Sequence, residues 1–331
     1  MRVLVALARL LALSLAVLVS LVRGQDAGLN DPTFKGAREH DRFGYGANAT
    51  VRAIAVQSDG KILLGGDFTS HNEESWSFLG RVDSQGRRDL ASSGATALDA
   101  AVRAIALQPD GKAIIGGDFT TASGGRSRIA RMRVDGFADT TFNIDTGTNA
   151  RVSAALVQPD GKAVTVGAFT KFNGVVRNRV ARLNADGSVD AEFLSNVGAN
   201  SVVHAVKLDA SGLVLIGGDF TEQGSATRGR LARVLTTGGI DATFDPSGGA
   251  NGIVYVVKAQ LDGKLVIGGD FTHFKGLPCR GLARLNANGF VDTDFNQGSG
   301  LAPSATIPKC ALTDLLIEPS GKLTVVGVFG S

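Results

Sequence analysis

The chain has 331 residues, 44% of them apolar and 20% charged, with 34 basic residues, 31 acidic residues and two cysteines. This length can bury a large core without covalent staples, and so few cysteines exclude a disulfide-dense scaffold. The near balance of charge gives no electrostatic footprint for nucleic acid or anionic lipid.

The first element is MRVLVALARLLALSLAVLVSLVRG, residues 1–24. Arg2 and Arg9 flank a short basic start, Leu10 to Val22 is an apolar run, and the small residues Val22 and Gly24 precede Gln25. This pattern predicts a secretory signal peptide. A membrane anchor would need roughly 20 apolar residues, and Arg9 interrupts the run. No later stretch approaches spanning length. The leader holds Arg2, Arg9 and Arg23 and no acid, which leaves 31 bases against 31 acids in residues 25–331. The isoelectric point near 8.9 is therefore largely a property of the leader.

Beyond the leader the sequence is periodic. The turn glycines Gly60, Gly111, Gly161, Gly212, Gly263 and Gly321 are spaced by 51, 50, 51, 51 and 58 residues. A fixed period in this range marks a repeat architecture. Each unit holds four short extended runs. Run A is Val51–Gln57, Val102–Gln108 and Val152–Gln158 in the first three copies. An Asp-Gly step follows at 59–60, 110–111, 160–161 and 262–263, which predicts a type I′ hairpin turn. Run B is the KAIIGGDF type, and run C the RIARMR or RVARLN type. A second turn holds Gly86, Gly136, Gly187, Gly238 and Gly289, and run D ends in Asp-x-x-Phe.

Four strands in about 50 residues, repeated, predict a β-propeller of about six blades. A β-solenoid is the alternative, but its coils are shorter and lack two tight turns per repeat. GGDFT at 65–69, 217–221 and 268–272, and IGGDFT at 115–120, is then a blade feature. Glycine within a strand marks close approach of a neighbour, so the glycine pair predicts an adjacent blade pressing on run B. Phe68, Phe119, Phe169, Phe220, Phe271 and Phe329 share one position; Phe34, Phe142, Phe193, Phe244 and Phe295 share the other. Both sets predict core. At 166–169 and 326–329 the phenylalanine stays while the aspartate is lost, so the ring is what the blade requires.

GLNDPTF at 28–34, QPDGK at 108–112 and 158–162, GGDFT, and RLNADGSVDAEF at 182–193 resemble the delta-60 repeat, a β-propeller-type repeat of exported and surface bacterial proteins. The resemblance covers residues 28–331 and implies architecture and export, with no catalytic residues. The chain departs from the pattern where Ser92 follows Asp89 in place of Phe, and where an insertion at 298–310 lengthens the last interval. The lone D run at 28–34 is expected to join the A and B runs of the sixth repeat. With VVGVFGS as its last letters, the sequence reads as a fragment to which further blades are possible additions.

The chemistry-bearing residues recur with the repeat. Asp67, Asp118, Asp219 and Asp270 on run B, and Arg81, Arg131, Arg182, Arg233 and Arg284 on run C, are expected to pair across the B–C hairpin. The other reading is a ring of carboxylates that takes a cation or polar ligand. Arg182 lacks such a partner because residue 168 is Ala. NADGSVD at 184–190 resembles a calcium loop, but the other copies place Arg133 or Leu235 in a ligand position. Turn-stabilising carboxylates explain Asp89, Asp139, Asp190, Asp241 and Asp292 instead.

Strand alternation puts the A–B and C–D turns at one end of the blades and the B–C and D–A segments at the other. The second end is the expected recognition face, with His71, Trp76, Phe172, His273 and Phe274 as candidate contacts for a surface protein or glycan. Cys279 and Cys310 fall at that end, so a bridge between them is possible. His40, His71 and His273 belong to distant repeats, which argues against a zinc site, and His204 lies inside a strand as a packed or hydrogen-bonded residue. No nucleophile elbow, His-Glu-x-x-His or phosphate loop is present, and no cofactor is implied. The expected function is a non-catalytic exported or cell-surface scaffold. The alternatives are a glycan- or polymer-binding module and, further off, a polysaccharide-active enzyme.

Overall fold

A computed structural model describes residues 46–72, 74–89, 98–122, 127–193, 198–224, 226–244, 248–295, 300–301 and 310–329. The leader at 1–24, the D run at 28–34, His40 and most of the insertion lie outside the described residues. Every regular element among them is a strand. They group into two compact units, one within residues 1–157 and 186–188, the other within 158–185 and 189–331.

In the first unit, repeat one gives a sheet of strand A (Val51–Val56), B (Ile62–Gly66) and C (Leu79–Val82), in that order. Repeat two gives Val102–Leu107, Ala113–Gly117 and Ile129–Met132 in the same order. In the second unit, repeat four gives Val203–Leu208, Val214–Gly218 and Leu231–Val234, and repeat five gives Val254–Ala259, Leu265–Gly269 and Leu282–Leu285. Repeat six supplies two strands, Ala311–Ile317 and Leu323–Val328. All these pairings are antiparallel.

Two details differ from the sequence expectation. The A–B turns are not type I′. Gly60 N–H donates to Gln57 O at 3.0 Å while Gln57 N–H donates to Lys61 O at 2.8 Å, so three residues lie in the loop. This is a type I turn closed by a left-handed glycine. The eleven turn glycines have φ between 79° and 97°, and the residues before them stay at negative φ. The fourth run is also shorter than a strand. It touches strand C through single bridges, such as Val82↔Arg88 and Val234↔Ile240. The cause is the aspartate that follows. Asp241 Oδ1 accepts Thr243 N–H at 2.8 Å, and Asp190 Oδ1 accepts Glu192 N–H at 3.0 Å. These side-chain turns take the backbone donors that a ladder would need.

Strand B is buried along its length in repeats one to five. The first glycine of its Gly-Gly step makes room for the next repeat. A Cβ on Gly116 would stand 2.5 Å from Val152 Cγ1, and one on Gly217 would stand 2.8 Å from Val254 Cγ1. A Cβ on the second glycine would strike the backbone carbonyl of Thr50, Ala101, Val202 or Ile253, because strand A bulges there. Phe68, Phe119, Phe169, Phe220 and Phe271 are fully buried, as are Phe142, Phe193 and Phe244, whereas Phe295 and Phe329, expected in the core, are half-buried, and Phe34 lies outside the described residues.

Candidate functional site

The repeated arginines do not pair with the run B aspartates. Arg131 Nε meets Asp139 Oδ2 at 2.8 Å, Arg182 meets Asp190 at 2.8 Å, Arg233 meets Asp241 at 2.7 Å, and Arg284 meets Asp292 at 2.7 Å. The expected B–C pairing fails because the C–D turn is tight and returns the run D carboxylate to strand C. Arg182 therefore needs nothing from residue 168. Each guanidinium also covers the phenylalanine three residues beyond the aspartate, at 4.4 Å for Phe142 and 4.9 Å for Phe244. A lysine after the A–B glycine completes the cluster, with Lys162 Nζ at 2.8 Å from Asp190 and Lys264 Nζ at 2.8 Å from Asp292. Arg182 Nη1 then donates to Thr236 O at 2.7 Å, and Arg233 Nη1 to Ala287 O at 2.9 Å, each in the following repeat. Arg81 reaches Val134 O in the same way.

The charges shift the carboxyls accordingly. Burial pushes the Asp190 carboxyl up, but Lys162 and Arg182 outweigh it and hold it below the usual carboxylate range. The Lys264 ammonium does the same for Asp292, ahead of Arg284. Asp190 and Asp292 are thus buried and each paired with two cations. Among the described residues no three His, Cys, Asp or Glu side chains gather where a metal could sit.

The threonine of GGDFT has a partner that the sequence reading missed. Asn251 Oδ1 accepts Thr272 N–H at 2.8 Å and His273 N–H at 3.0 Å, while its Nδ2 donates to Thr272 Oγ1 at 2.8 Å. Asn48 and Asn200 repeat this clamp on Thr69 and Thr221. In repeat two Asp99 stands in for Asn, and Thr120 donates to it from Oγ1 at 2.5 Å and from N–H at 2.7 Å. The Thr120 hydroxyl and the Thr121 amide hold the Asp99 carboxyl down to about 2. The signal was in the sequence: an Asn or Asp stands 21 residues before each threonine.

The run B aspartates lie beside the strand A bulge. Arg52, one residue into strand A, meets Asp67 through two bonds of 2.7 and 2.5 Å. Arg103 meets Asp118 at 2.6 Å. The Asp67 bond raises the Arg52 guanidinium above its usual value. In repeats four and five the bulge residues are His204 and Tyr255. Their rings meet edge to face with centroids 5.4 Å apart. Asp219 has Ser201 Oγ at 3.4 Å and Arg230 Nε at 4.0 Å.

The candidate aromatic contacts are mostly internal. The B–C segments form two-residue hairpins, Ser70–His71 with Glu74–Ser75, Lys171–Phe172 with Val175–Val176, and His273–Phe274 with Leu277–Pro278. Alternation turns His71, Phe172 and Phe274 inward, where all three are buried. Trp76 is buried too, stacked on His71 at 4.8 Å and tilted on Phe68 at 5.8 Å. Burial holds the His71 imidazole below its ordinary value, with Glu74 acting the other way. His273 is the exposed member of the set. The outward residues of these hairpins are instead Val175, Val176 and Leu277. The bridge allowed for Cys279 and Cys310 is not formed. Both are buried thiols, Cys279 Sγ donating to Leu277 O at 3.4 Å and Cys310 Sγ to Leu301 O at 3.6 Å.

A family model described as a domain of unknown function (DUF5122) beta-propeller matches residues 57–90, 108–142, 158–193, 197–244 and 260–295. No curated protein matches the chain. Among solved structures, the chain is similar to the extracellular domain of a hybrid two component system from B. thetaiotaomicron. The TM-score is 0.53 at 14% identity, over 89% of this chain and 33% of that one. The chain thus spans a third of the length of that relative. It is also similar to YCF48 bound to D1 peptide, with a TM-score of 0.50 at 11% identity, over 88% of this chain and 80% of that one. At these identities the likeness is one of fold.

Proposed function

From the premise that the chain belongs to the β-propeller family described as a domain of unknown function (DUF5122), we propose that it is an exported, non-catalytic interaction scaffold. We also read its repeat as of the delta-60 type. One observation carries the scaffold reading: the recurring polar residues are spent on holding the repeats together. The arginines of repeats one, three and four bond to the turn of the repeat that follows, and the Asn–Thr clamps tie the D–A segment to the B–C end. Acids used this way are shared out along the repeats and neutralised by arginine or lysine, which does not suit the acid–base work of glycoside hydrolysis. Export is supported by the leader pattern at 1–24. Burial of Trp76, Phe172 and Phe274 disfavours glycan binding by stacked aromatics.

The test has two parts. Surface biotinylation of intact producing cells should label the chain. The purified full chain should release no reducing ends from a panel of polysaccharides. Turnover that disappears in Asp219→Asn or Asp118→Asn would overturn the non-catalytic reading, and labelling only after lysis would overturn export.

A further inference from the structure

The bulge position offers an internal comparison. Repeats one and two place a guanidinium there, and Asp67 and Asp118 are each neutralised by it. Repeats four and five keep the aspartate but put an aromatic ring in place of the arginine. Asp270 then has no side-chain hydrogen bond or ion pair among the described residues, and its carboxylate is exposed. Among the described residues the cation that meets Asp219 is Arg230, at 4.0 Å.

A second observation is independent of the carboxylates. His204 and Tyr255 come from different repeats and meet ring to ring at 5.4 Å, and both residues are half-buried. An aromatic face flanked by anions is the usual seat for an organic cation, through the ring quadrupole and ion pairing together. Burial raises the Tyr255 hydroxyl, and Asp270 and Asp219 add to that shift. Geometry places the acids: Asp270 N–H donates to Ile253 O at 3.1 Å, two residues before Tyr255, and Asp219 N–H donates to Val202 O at 2.9 Å, two residues before His204. The lysines of the same strands are held elsewhere in part, since Lys258 Nζ meets Asp314 at 3.2 Å.

We infer that this rim of the second unit binds an alkylammonium or guanidinium group, seated on Tyr255 between Asp219 and Asp270. The site goes beyond the scaffold reading. It gives one part of the molecule a chemistry that the first unit, with Arg52 and Arg103 at the same position, does not have. The cation has two possible sources, a free amine or a lysine or arginine side chain of a partner protein.

The experiment is a titration of the purified full chain with 1,4-diaminobutane and, separately, with a blocked lysyl-lysine peptide. Binding is followed by calorimetry and by the ring resonances of His204 and Tyr255. Saturable binding of either probe that moves both rings is the expected result, and the probe that binds identifies the source. Asp270→Asn and Asp219→Asn should each weaken it about threefold to tenfold. Asp118→Asn should leave it unchanged. His204→Arg with Tyr255→Arg installs the pairing already present in repeats one and two. That variant should fold with an unchanged melt and lose binding. The inference is overturned if neither probe saturates, if the rings do not respond, or if Asp118→Asn weakens binding as much as Asp270→Asn.

Discussion

Asp190→Asn is the sharpest test of how the repeats are held. The substitution keeps the shape and the acceptor oxygen, so the bond from Glu192 N–H, at 3.0 Å, survives. What it removes is the negative charge between Arg182 at 2.8 Å and Lys162 at 2.8 Å. The Arg182 side chain is 8% exposed and cannot rehydrate in place. Breaking a buried pair from one side costs about 3–5 kcal/mol. Arg182 keeps its bond to Thr236 O and its seat on Phe193, which lowers the figure. The Lys162 contact, 29% exposed, adds less than about 1 kcal/mol. The expected loss is about 3 kcal/mol, read from urea unfolding followed by circular dichroism. Asp67→Asn is the control, since its pair with Arg52 is about one-third exposed on each side. That control should cost under about 1 kcal/mol. If Asp190→Asn costs no more than Asp67→Asn, the cluster does not hold the repeats together.

Phe220→Ala empties a fully buried position and should cost about 3–5 kcal/mol in the same urea assay; a loss under about 1 kcal/mol would remove Phe220 from the core. The carboxyls of Asp99, Asp139, Asp190, Asp241 and Asp292 are all held below their usual value in the folded chain. Their contribution is therefore complete above the unfolded carboxyl pKa of about 3.9 and is lost as pH falls below it. The melting temperature should drop between pH 4 and about 2, and a flat profile there would contradict the pairing. Burial raises the Cys279 thiol to about 11. Iodoacetamide at pH 8 should leave Cys279 unlabelled in the native chain and modify it in urea, as peptide mapping would show; rapid native labelling would place the thiol at the surface.

The repeat made much of the fold legible. Fixed glycine spacing and period-two runs of Val, Ile and Leu identify strands and turns because turn geometry and burial act over a few residues. The GGDFT phenylalanine was readable as core for the same reason, and its two glycines as a place of close approach. The partners of charged residues were not readable. Arg182 and Asp190 are eight residues apart, and Arg182 also meets Thr236, 54 residues away. Which acid an arginine chooses depends on how tightly the chain returns at the C–D turn, and composition carries no record of that. The clamp of Asn251 on Thr272 lay between these cases, visible as a constant spacing but without meaning until the D–A and B–C segments were seen side by side.

The sequence by itself determined the period, strands A to C, the turn glycines and the buried phenylalanine of strand B's end in repeats one to five, because each depends on local geometry and on the transfer of apolar surface from water. Only the tertiary structure decided which polar groups face each other. It turned Trp76, Phe172 and Phe274 inward and left Val175, Val176 and Leu277 outside. It also showed that one recurring aspartate has two environments, paired with a strand A guanidinium at Arg52 and Arg103, and with an aromatic ring in that place at His204 and Tyr255. The physical reason is that the state of a charge is set by its nearest neighbours in space, and for the run B aspartates those neighbours come from the strand A bulge.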